Sequence, residues 1–477
     1  MDAFALAPVF DTFDVENIVN VKYEDNQLLF EVCWKPSWVP EYDLYNCEKL
    51  LAKYYLQPST VNYDYHQQTQ PPCLSQDYVS SEKEQYKLNK ILYLVSPVFN
   101  VVEALADAGL DYSKVDAVVA GSVYTDSTSG QRVLYEIGLT GIPVFNVNNN
   151  CSTGSSALML ARSLVLSNQF SCVLAVGFEQ MNEGLDPKYP NKVFPPGVHF
   201  DNLNKRPGVN PEKEKVIGTD PFTSDVIRLF AHATREYLSR HPHVSMDDFA
   251  QIAYKNRIMG SNNPRAALYG SPSPRLQDIV SKRMLVPPIT LHMSALTSDG
   301  AAAAIVASNR FLREQNKTTL QARAISIAAQ HMRSDFSSTF DSTFQNMCGN
   351  WLAKDAAEAC YRDAKITPST IDVLEVHDCF ASNELFLYEA LGLASEGQGC
   401  DLVRNGQWFK NSAGGQYFKM NNKWVVNPSG GIESKGHPIG ATGLAQCYEL
   451  VTQLRGEAGI RQVCNLNTIF IKFDDLS

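Results

Sequence analysis

The 477-residue sequence contains no apolar run close to the roughly 20 residues that carry a helix through a bilayer. Its purely apolar stretches, such as 301–307, are short, so a soluble protein without a transmembrane segment is expected. It has no block of Lys or Arg, and 41 basic against 51 acidic side chains leave a formal net charge of −10. Nucleic acid is therefore not an expected partner, because phosphate binding needs a concentrated positive footprint. No C-x-x-C pair occurs. The 11 cysteines, at 33, 47, 73, 151, 172, 348, 360, 379, 400, 447 and 464, are odd in number and scattered. That argues against a disulfide framework or a zinc site, and for reduced thiols inside a cell. The start of the chain carries Asp2, Asp11, Asp14 and Glu16 where a secretory leader needs a basic start and an apolar core, so no leader is expected.

What is present is ample core material: 44% hydrophobic and 19% charged residues. The chain is about three times the roughly 150-residue span of one domain, which implies two or three domains or one large duplicated one. Residues 1–90 differ in texture from the rest. Segments 18–24 and 28–34, separated by Asp25-Asn26-Gln27, form a candidate hairpin, and 57–84, rich in Tyr, Gln, Ser and Pro, reads as linker. No chemistry is evident there.

From Ile91 onward, short β-branched runs alternate with helical stretches, the pattern of α/β layering. Strands are expected at 117–124, 144–147, 172–177, 301–307, 324–329, 373–377 and 424–427, and helices at 155–167, 220–239, 354–364 and 443–456. The stretch from about 180 to 295 has few strand signals and reads as an insertion carried on the sheet. A weak internal symmetry suggests two copies of one unit: 146–166 and 425–454 both run strand, small residues, reactive side chain, helix.

Three places could carry chemistry. Cys151 follows Asn148-Asn149-Asn150 and precedes Ser152-Thr153-Gly154-Ser155-Ser156, where a helix is expected to start. A thiol at a helix N-terminus is favoured as thiolate by the backbone amides and the dipole, which is a nucleophile's setting; the alternative is a small buried cysteine with polar neighbours. In Gly436-His437-Pro438, Gly and Pro fix the backbone around an imidazole suited to taking a thiol proton; the alternative is a histidine satisfying a turn. His377-Asp378-Cys379-Phe380 ends the apolar run 373–376, and groups at the carboxyl end of a strand in an open α/β sheet point into the ligand crevice. There the alternative is a buried thiol beside a loop-capping histidine. Two ligands do not make a closed zinc site, so no metal is expected.

Taken together, these motifs resemble the thiolase superfamily, specifically its sterol carrier protein type. The resemblance rests on NVNNNCSTGSSALMLAR at 146–162, TSDGAAAAI at 297–305, VLEVHDCFASNEL at 373–385 and NPSGGIESKGHPIGATGLAQC at 427–447. It covers about three quarters of the chain, and the HDCF variant separates this type from thiolases that take their second cysteine from a C-terminal C-x-G motif. It implies an α/β thiolase fold, five-layered α/β/α/β/α from two duplicated halves: 91–310 with a loop domain at about 180–295, and 311–477, after a divergent segment 1–90. It implies Cys151 as acyl-accepting nucleophile, His437 as its base, Cys379 as acid/base, and His377 with His437 as donors to the thioester oxygen. The activity implied is thiolytic cleavage of a medium, long, branched or sterol side-chain 3-oxoacyl-CoA to acetyl-CoA or propionyl-CoA plus a shortened acyl-CoA, with coenzyme A as co-substrate and no permanently bound cofactor. A homodimer, a lipid-carrier partner and a peroxisomal location, with the cytoplasm as alternative, follow by the same resemblance.

Two departures bear on activity. An unfamiliar segment of about 90 residues precedes the first family helix, and 91–95 is only a candidate for the family strand that would stand there. After Val463 the family continues through two strands and a Gly-rich loop, whereas this sequence runs Cys464 to Ser477, with 467–472 as a candidate strand. The loop would supply a donor of a second oxyanion site, and losing one such donor costs about 10²–10³ in rate. Incomplete C-terminal strands are therefore expected. An impaired, acyl-CoA- or partner-binding protein stands as the alternative, and a decarboxylating condensing synthase as a third reading that leaves Cys379 without a role.

Overall fold

A computed structural model of the chain describes residues 18–24, 27–32, 38–40, 97–181, 197–214, 221–281, 283–315, 318–340, 342–464, 466 and 469–471. The linker reading of 57–84 and the candidate strand at 91–95 lie outside these residues. Strands β1 (Ile18–Glu24), β2 (Gln27–Val32) and β3 (Trp38–Pro40) make an antiparallel sheet, and β1 and β2 are the expected hairpin.

The α/β part opens with helix α1 (Pro97–Asp107), followed by β4 (Ala117–Gly121), β5 (Val144–Val147), α2 (Thr153–Leu166) and β6 (Cys172–Glu179). A mainly helical stretch comes next, with α3 (Pro221–Arg240), α4 (Met246–Ser261) and the small hairpin β7 (Met284–Val286) and β8 (Ile289–Thr290), and β9 (Gly300–Ala307) then returns to the sheet. The plan repeats as α5 (Asn350–Ala364), β10 (Val373–Glu375), α6 (Ala381–Ala390), the hairpin β11 (Gln407–Lys410) and β12 (Gln416–Lys419), β13 (Val425–Val426), α7 (Gly431–Lys435), α8 (Thr442–Arg455) and β14 (Ile469–Ile471).

The first main sheet has the order β5-β4-β6-β9, parallel except for β9, and the second has β13-β10-β14, all parallel. In each, the first strand of the repeat lies between the second and the third, so the two halves share one winding. The internal symmetry in the sequence is this duplication.

Alternation along the strands builds the layers. On one face of the first sheet, Val118, Ala120, Leu174 and Val176 pack with Val101 and Leu105 of α1. On the other, Ala117, Val119, Val173 and Ala175 pack with Ala157, Leu158 and Ala161 of α2 and Leu444 of α8. Both faces of β4 and β6 are covered, which is why these strands read as continuous apolar runs. The inner face is rich in alanine, and α2 and α8 approach closely; a Cβ on Gly154 would lie 3.1 Å from the Gly443 amide nitrogen of α8. Around the second sheet, α3, α4 and α6 contribute Phe230, Phe249 and Phe386 to one core with Val373, Leu374 and Val425.

Two strands stop short of expectation because side chains replace the ladder. β4 ends at Gly121, since the amides of Val123 and Tyr124 each donate to the Glu179 carboxylate at 2.9 Å. β10 ends at Glu375, because the Val376 amide donates to Asn427 Oδ1 (2.8 Å) and its carbonyl accepts from Gln446 Nε2 (3.1 Å). The expected strand at 324–329 is corrected: it forms no ladder among the described residues, and Ile327 is exposed. Its β-branched residues favour extended backbone, but a strand also needs a neighbour, and the second sheet shows no counterpart of β9 among the described residues. The candidate strand at 467–472 does form, as β14 beside β10.

Candidate active site

The reactive side chains come from the ends of equivalent segments of the two halves. Cys151 sits in a single 3-10 turn, Asn150–Ser152, between β5 and α2. The three asparagines preceding it shape that turn. Asn150 adopts a left-handed φ of 43°, the backbone N–H of Asn149 donates to Thr153 Oγ1 (2.7 Å), and Asn148 Nδ2 donates to the Val123 carbonyl (3.2 Å). Cys151 is half-buried at the mouth of α2.

His437 precedes α8 as Cys151 precedes α2, and Gly154 of α2 faces the Gly443 and Leu444 amides of α8 at 3.1 Å from its ideal Cβ. The two helices meet at their N-terminal ends, and this brings the Cys151 thiol and the His437 imidazole together. His377 comes from the segment after β10, where the Asn383 amide group donates to its carbonyl at 2.7 Å. Residues 294–297 splint the two histidine loops: Ala295 donates to the Cys379 carbonyl (2.9 Å), and the His437 amide donates to the Leu296 carbonyl (2.8 Å).

The ligating atoms of Cys151, His377 and His437 all lie within 4.8 Å of one another. The imidazoles meet edge to face, with centroids 5.0 Å apart and planes at 69°. Both histidines are buried. His437 Nδ1 is 2.7 Å from Thr442 Oγ1. Burial, then His377, then Lys435, hold His437 well below the ordinary histidine range, so its imidazole is neutral around pH 7 and available as a base. Cys379 is buried two residues from His377, between β10 and α6, and is not one of the three groups whose donor atoms converge.

Sequence reasoning did not find the groups that hold these side chains. Thr442, Asn383, Asn427 and Glu179 all bond to backbone or side chains of the reactive loops. For Asn383, Asn427 and Glu179 the one signal was an ionisable or amide residue inside an otherwise apolar or small-residue run, and Thr442 gave none.

A duplicated α/β fold with Cys151 and two histidines meeting between its halves defines a thiolase-type protein. Residues 82–269 match the thiolase N-terminal domain and residues 336–472 the thiolase C-terminal domain-like family. The chain is 45% identical to rabbit (Oryctolagus cuniculus) sterol carrier protein 2 over 364 residues, covering 76% of this chain and 62% of that protein. It is 37% identical to non-specific lipid-transfer protein-like 2 of Caenorhabditis elegans, covering 76% of this chain and 84% of that one. Among solved structures, the Ltp2-ChsH2(DUF35) aldolase is similar at a TM-score of 0.59 and 19% identity, covering 80% of this chain and 90% of that one. Human mitochondrial 3-ketoacyl-CoA thiolase is similar at 0.53 and 17%, covering 77% and 89%. The chain belongs to the thiolase family, in the branch that contains sterol carrier protein 2. It spans 62% of the length of the sterol carrier protein 2 relative.

Proposed function

We propose that this protein is a 3-oxoacyl-CoA thiolase that uses coenzyme A as co-substrate. The observation that carries the reading is the convergence of Cys151, His377 and His437 within 4.8 Å. Neutral His437 takes the Cys151 proton, and the thiolate attacks the 3-keto carbon. The bond to the α-carbon then breaks, acetyl-CoA or propionyl-CoA leaves as an enolate that must be protonated, and an acyl-Cys151 remains for CoA to lift off. Developing negative charge on the oxygens calls for fixed donors in a dry site, and His377 with His437 fill that role. Cys379 is the proton donor to the enolate and the acceptor of the proton from incoming CoA; two thiols in different environments divide nucleophilic and acid/base work.

The resemblance extends the proposal to medium, long, branched or sterol side-chain acyl groups, to a lipid-carrier partner, to a peroxisomal location and to a homodimer. For the last, β5 is the outer strand of its sheet among the described residues, with Phe145 exposed, which is a surface a second copy can extend. Sedimentation of wild-type protein against Phe145→Lys tests it, with a shift to monomer expected.

The function is tested by intact and peptide mass spectrometry after mixing the chain with acetoacetyl-CoA or a longer 3-oxoacyl-CoA, before and after adding free CoA. An acyl adduct on the Cys151 peptide that CoA discharges is expected, and Cys151→Ala should abolish it. A folded protein that stays unmodified would favour the acyl-CoA-binding reading instead.

A further inference from the structure

Between His377 and Cys379 stands Asp378, which has no part in the chemistry above and is fully buried in a cluster of ionisable groups. Helix α4 brings Lys255, Asn256 and Arg257 to it, α6 brings Glu384 and Tyr388, and α7 brings Glu433. Asn256 Nδ2, with two protons to donate, lies within hydrogen-bond distance of all three acids: Asp378 Oδ2 at 3.1 Å, Glu384 Oε2 at 2.7 Å and Glu433 Oε2 at 3.2 Å. Glu384 is paired with Lys255 Nζ at 2.5 Å and also accepts from Tyr388 (2.5 Å) and Asn427 (2.9 Å). Arg257 opposes the charge of Glu433.

Asp378 turns differently. Its carboxylate accepts from the backbone amides of Ile432 (2.8 Å) and Glu433 (3.2 Å), the opening turn of α7. That helix ends at Lys435, and Gly436 and His437 follow directly. The approach requires a glycine at 431: φ there is +61°, and a Cβ would lie 2.0 Å from Asp378 Oδ2. On the other side, Gly430 meets Gly260 of α4 backbone to backbone, its ideal Cβ 2.3 Å from the Gly260 Cα. The helix that carries Asn256 thus presses against the start of α7.

We infer that Asp378, held by Asn256, is a positioning residue: its carboxylate ties the loop of His377 and Cys379 to the helix leading into His437, and so sets where the two imidazoles meet at Cys151. The inference rests on the proposed reading of that site. A misplacement of about 1 Å can cost on the order of 10²-fold in rate, and this carboxylate spans the two loops whose relative placement matters most.

Protonation of the clamp supports this. Burial, then the charge of Glu384, push Asp378 up to about 7, against the Ile432 and Glu433 amides and Lys255. A protonated acid must place an O–H and loses acceptor capacity toward the two amides, so the clamp loosens on acidification through that value. Glu433 is likewise held well above the ordinary carboxylate range, by burial and then by the charges of Asp378 and Glu384.

The test is the rate of Cys151 alkylation by iodoacetamide across pH, read by peptide mass spectrometry, which needs no turnover. Wild-type protein should slow through a step near pH 7 as pH falls. Folded Asp378→Asn should alkylate about tenfold more slowly above neutrality and lack that step, and kcat for thiolysis should fall with KM unchanged. Glu389→Gln, at a half-buried carboxylate elsewhere, should match wild type. Asp378→Asn that folds and keeps the wild-type rate and profile overturns the inference. If Asp378→Asn does not fold, Gly431→Ala reaches the same contact from the other loop and should show the same slowing; failure of both to fold assigns the contact to folding alone and overturns the inference too. Wild-type protein that alkylates in this manner yet cleaves no 3-oxoacyl-CoA would sink the thiolase reading, while the same comparison of variants still decides the positioning role.

Discussion

The hydroxyl of Thr442 bridges the His437 imidazole and the Pro438 carbonyl. His437 Nδ1 lies 2.7 Å from Thr442 Oγ1, and that oxygen also lies 3.2 Å from the Pro438 carbonyl, which can only accept. A hydroxyl has one proton. With it directed at Pro438, the oxygen accepts from Nδ1–H, and the lone pair of the imidazole is left on Nε2. That atom is buried and makes no hydrogen bond among the described residues.

Replacing Thr442 by valine keeps the shape and removes the oxygen. Nδ1–H is then buried without an acceptor, which costs about 1–3 kcal/mol, and the tautomer is no longer fixed. Thermal unfolding should show the lost stability. Cys151 alkylation at neutral pH should fall by roughly tenfold or more, a part of what general-base assistance supplies. A Thr442→Val protein with the wild-type alkylation rate would refute the assignment of Nε2 as the base.

His437 also imposes a pH dependence on folding. Its folded-state value is depressed below the ordinary 6.5, so the unfolded chain takes up the proton first as pH falls. The stability linked to neutral His437 is fully present above 6.5 and is lost as pH falls through the depressed folded value. His437→Gln has no such loss. Urea unfolding of the two proteins from neutral pH downward should therefore show the variant gaining relative to wild type on acidification; a constant difference would contradict the buried neutral imidazole.

Much of this architecture was legible in the sequence, for identifiable reasons. β6 and β9 read as continuous apolar runs because both faces are covered, and Cys151 was placed at a helix start because small polar residues give way there to an apolar period. The segment 324–329 misled because composition reports extended backbone and says nothing of a neighbouring strand. The supports of the site were invisible for another reason. Asn256, Glu384 and Glu433 lie on helices whose sequences give no hint that three acids share one amide, since that arrangement exists only when α4, α6 and α7 are packed. Thr442, five residues after His437, was close enough to suspect but looked like one more small residue at a helix start.

The close approach of the two halves makes Gly177 indispensable. An ideal Cβ there lies 2.3 Å from the Gly440 carbonyl oxygen, in the loop that follows His437. Gly177→Ala should destabilise the protein by about 1–3 kcal/mol through overpacking and slow Cys151 alkylation by shifting that loop. Gly141→Ala is the contrast: φ there is +77° but nothing lies within 4 Å, so it costs only backbone strain of about 1–2 kcal/mol and leaves the alkylation rate unchanged. Equal alkylation by both variants would show that the contact with Gly440 does not govern the site.

The pair Lys255 and Glu384 is the strongest test of the buried cluster as an electrostatic unit. Both side chains are essentially inaccessible and their charged atoms are 2.5 Å apart. Lys255→Met leaves the Glu384 carboxylate buried without its cation, which costs about 3–5 kcal/mol. Glu384→Gln alone strands the ammonium, although the amide oxygen still accepts from Tyr388 and Asn427. Combining the two removes both charges at once, so the double variant should be more stable than the sum of the single losses allows, with a coupling of at least about 1 kcal/mol by chemical denaturation. Strict additivity would mean that each charge is balanced by other members of the cluster, and would assign Lys255 to Asp378 and Asn256 as much as to Glu384.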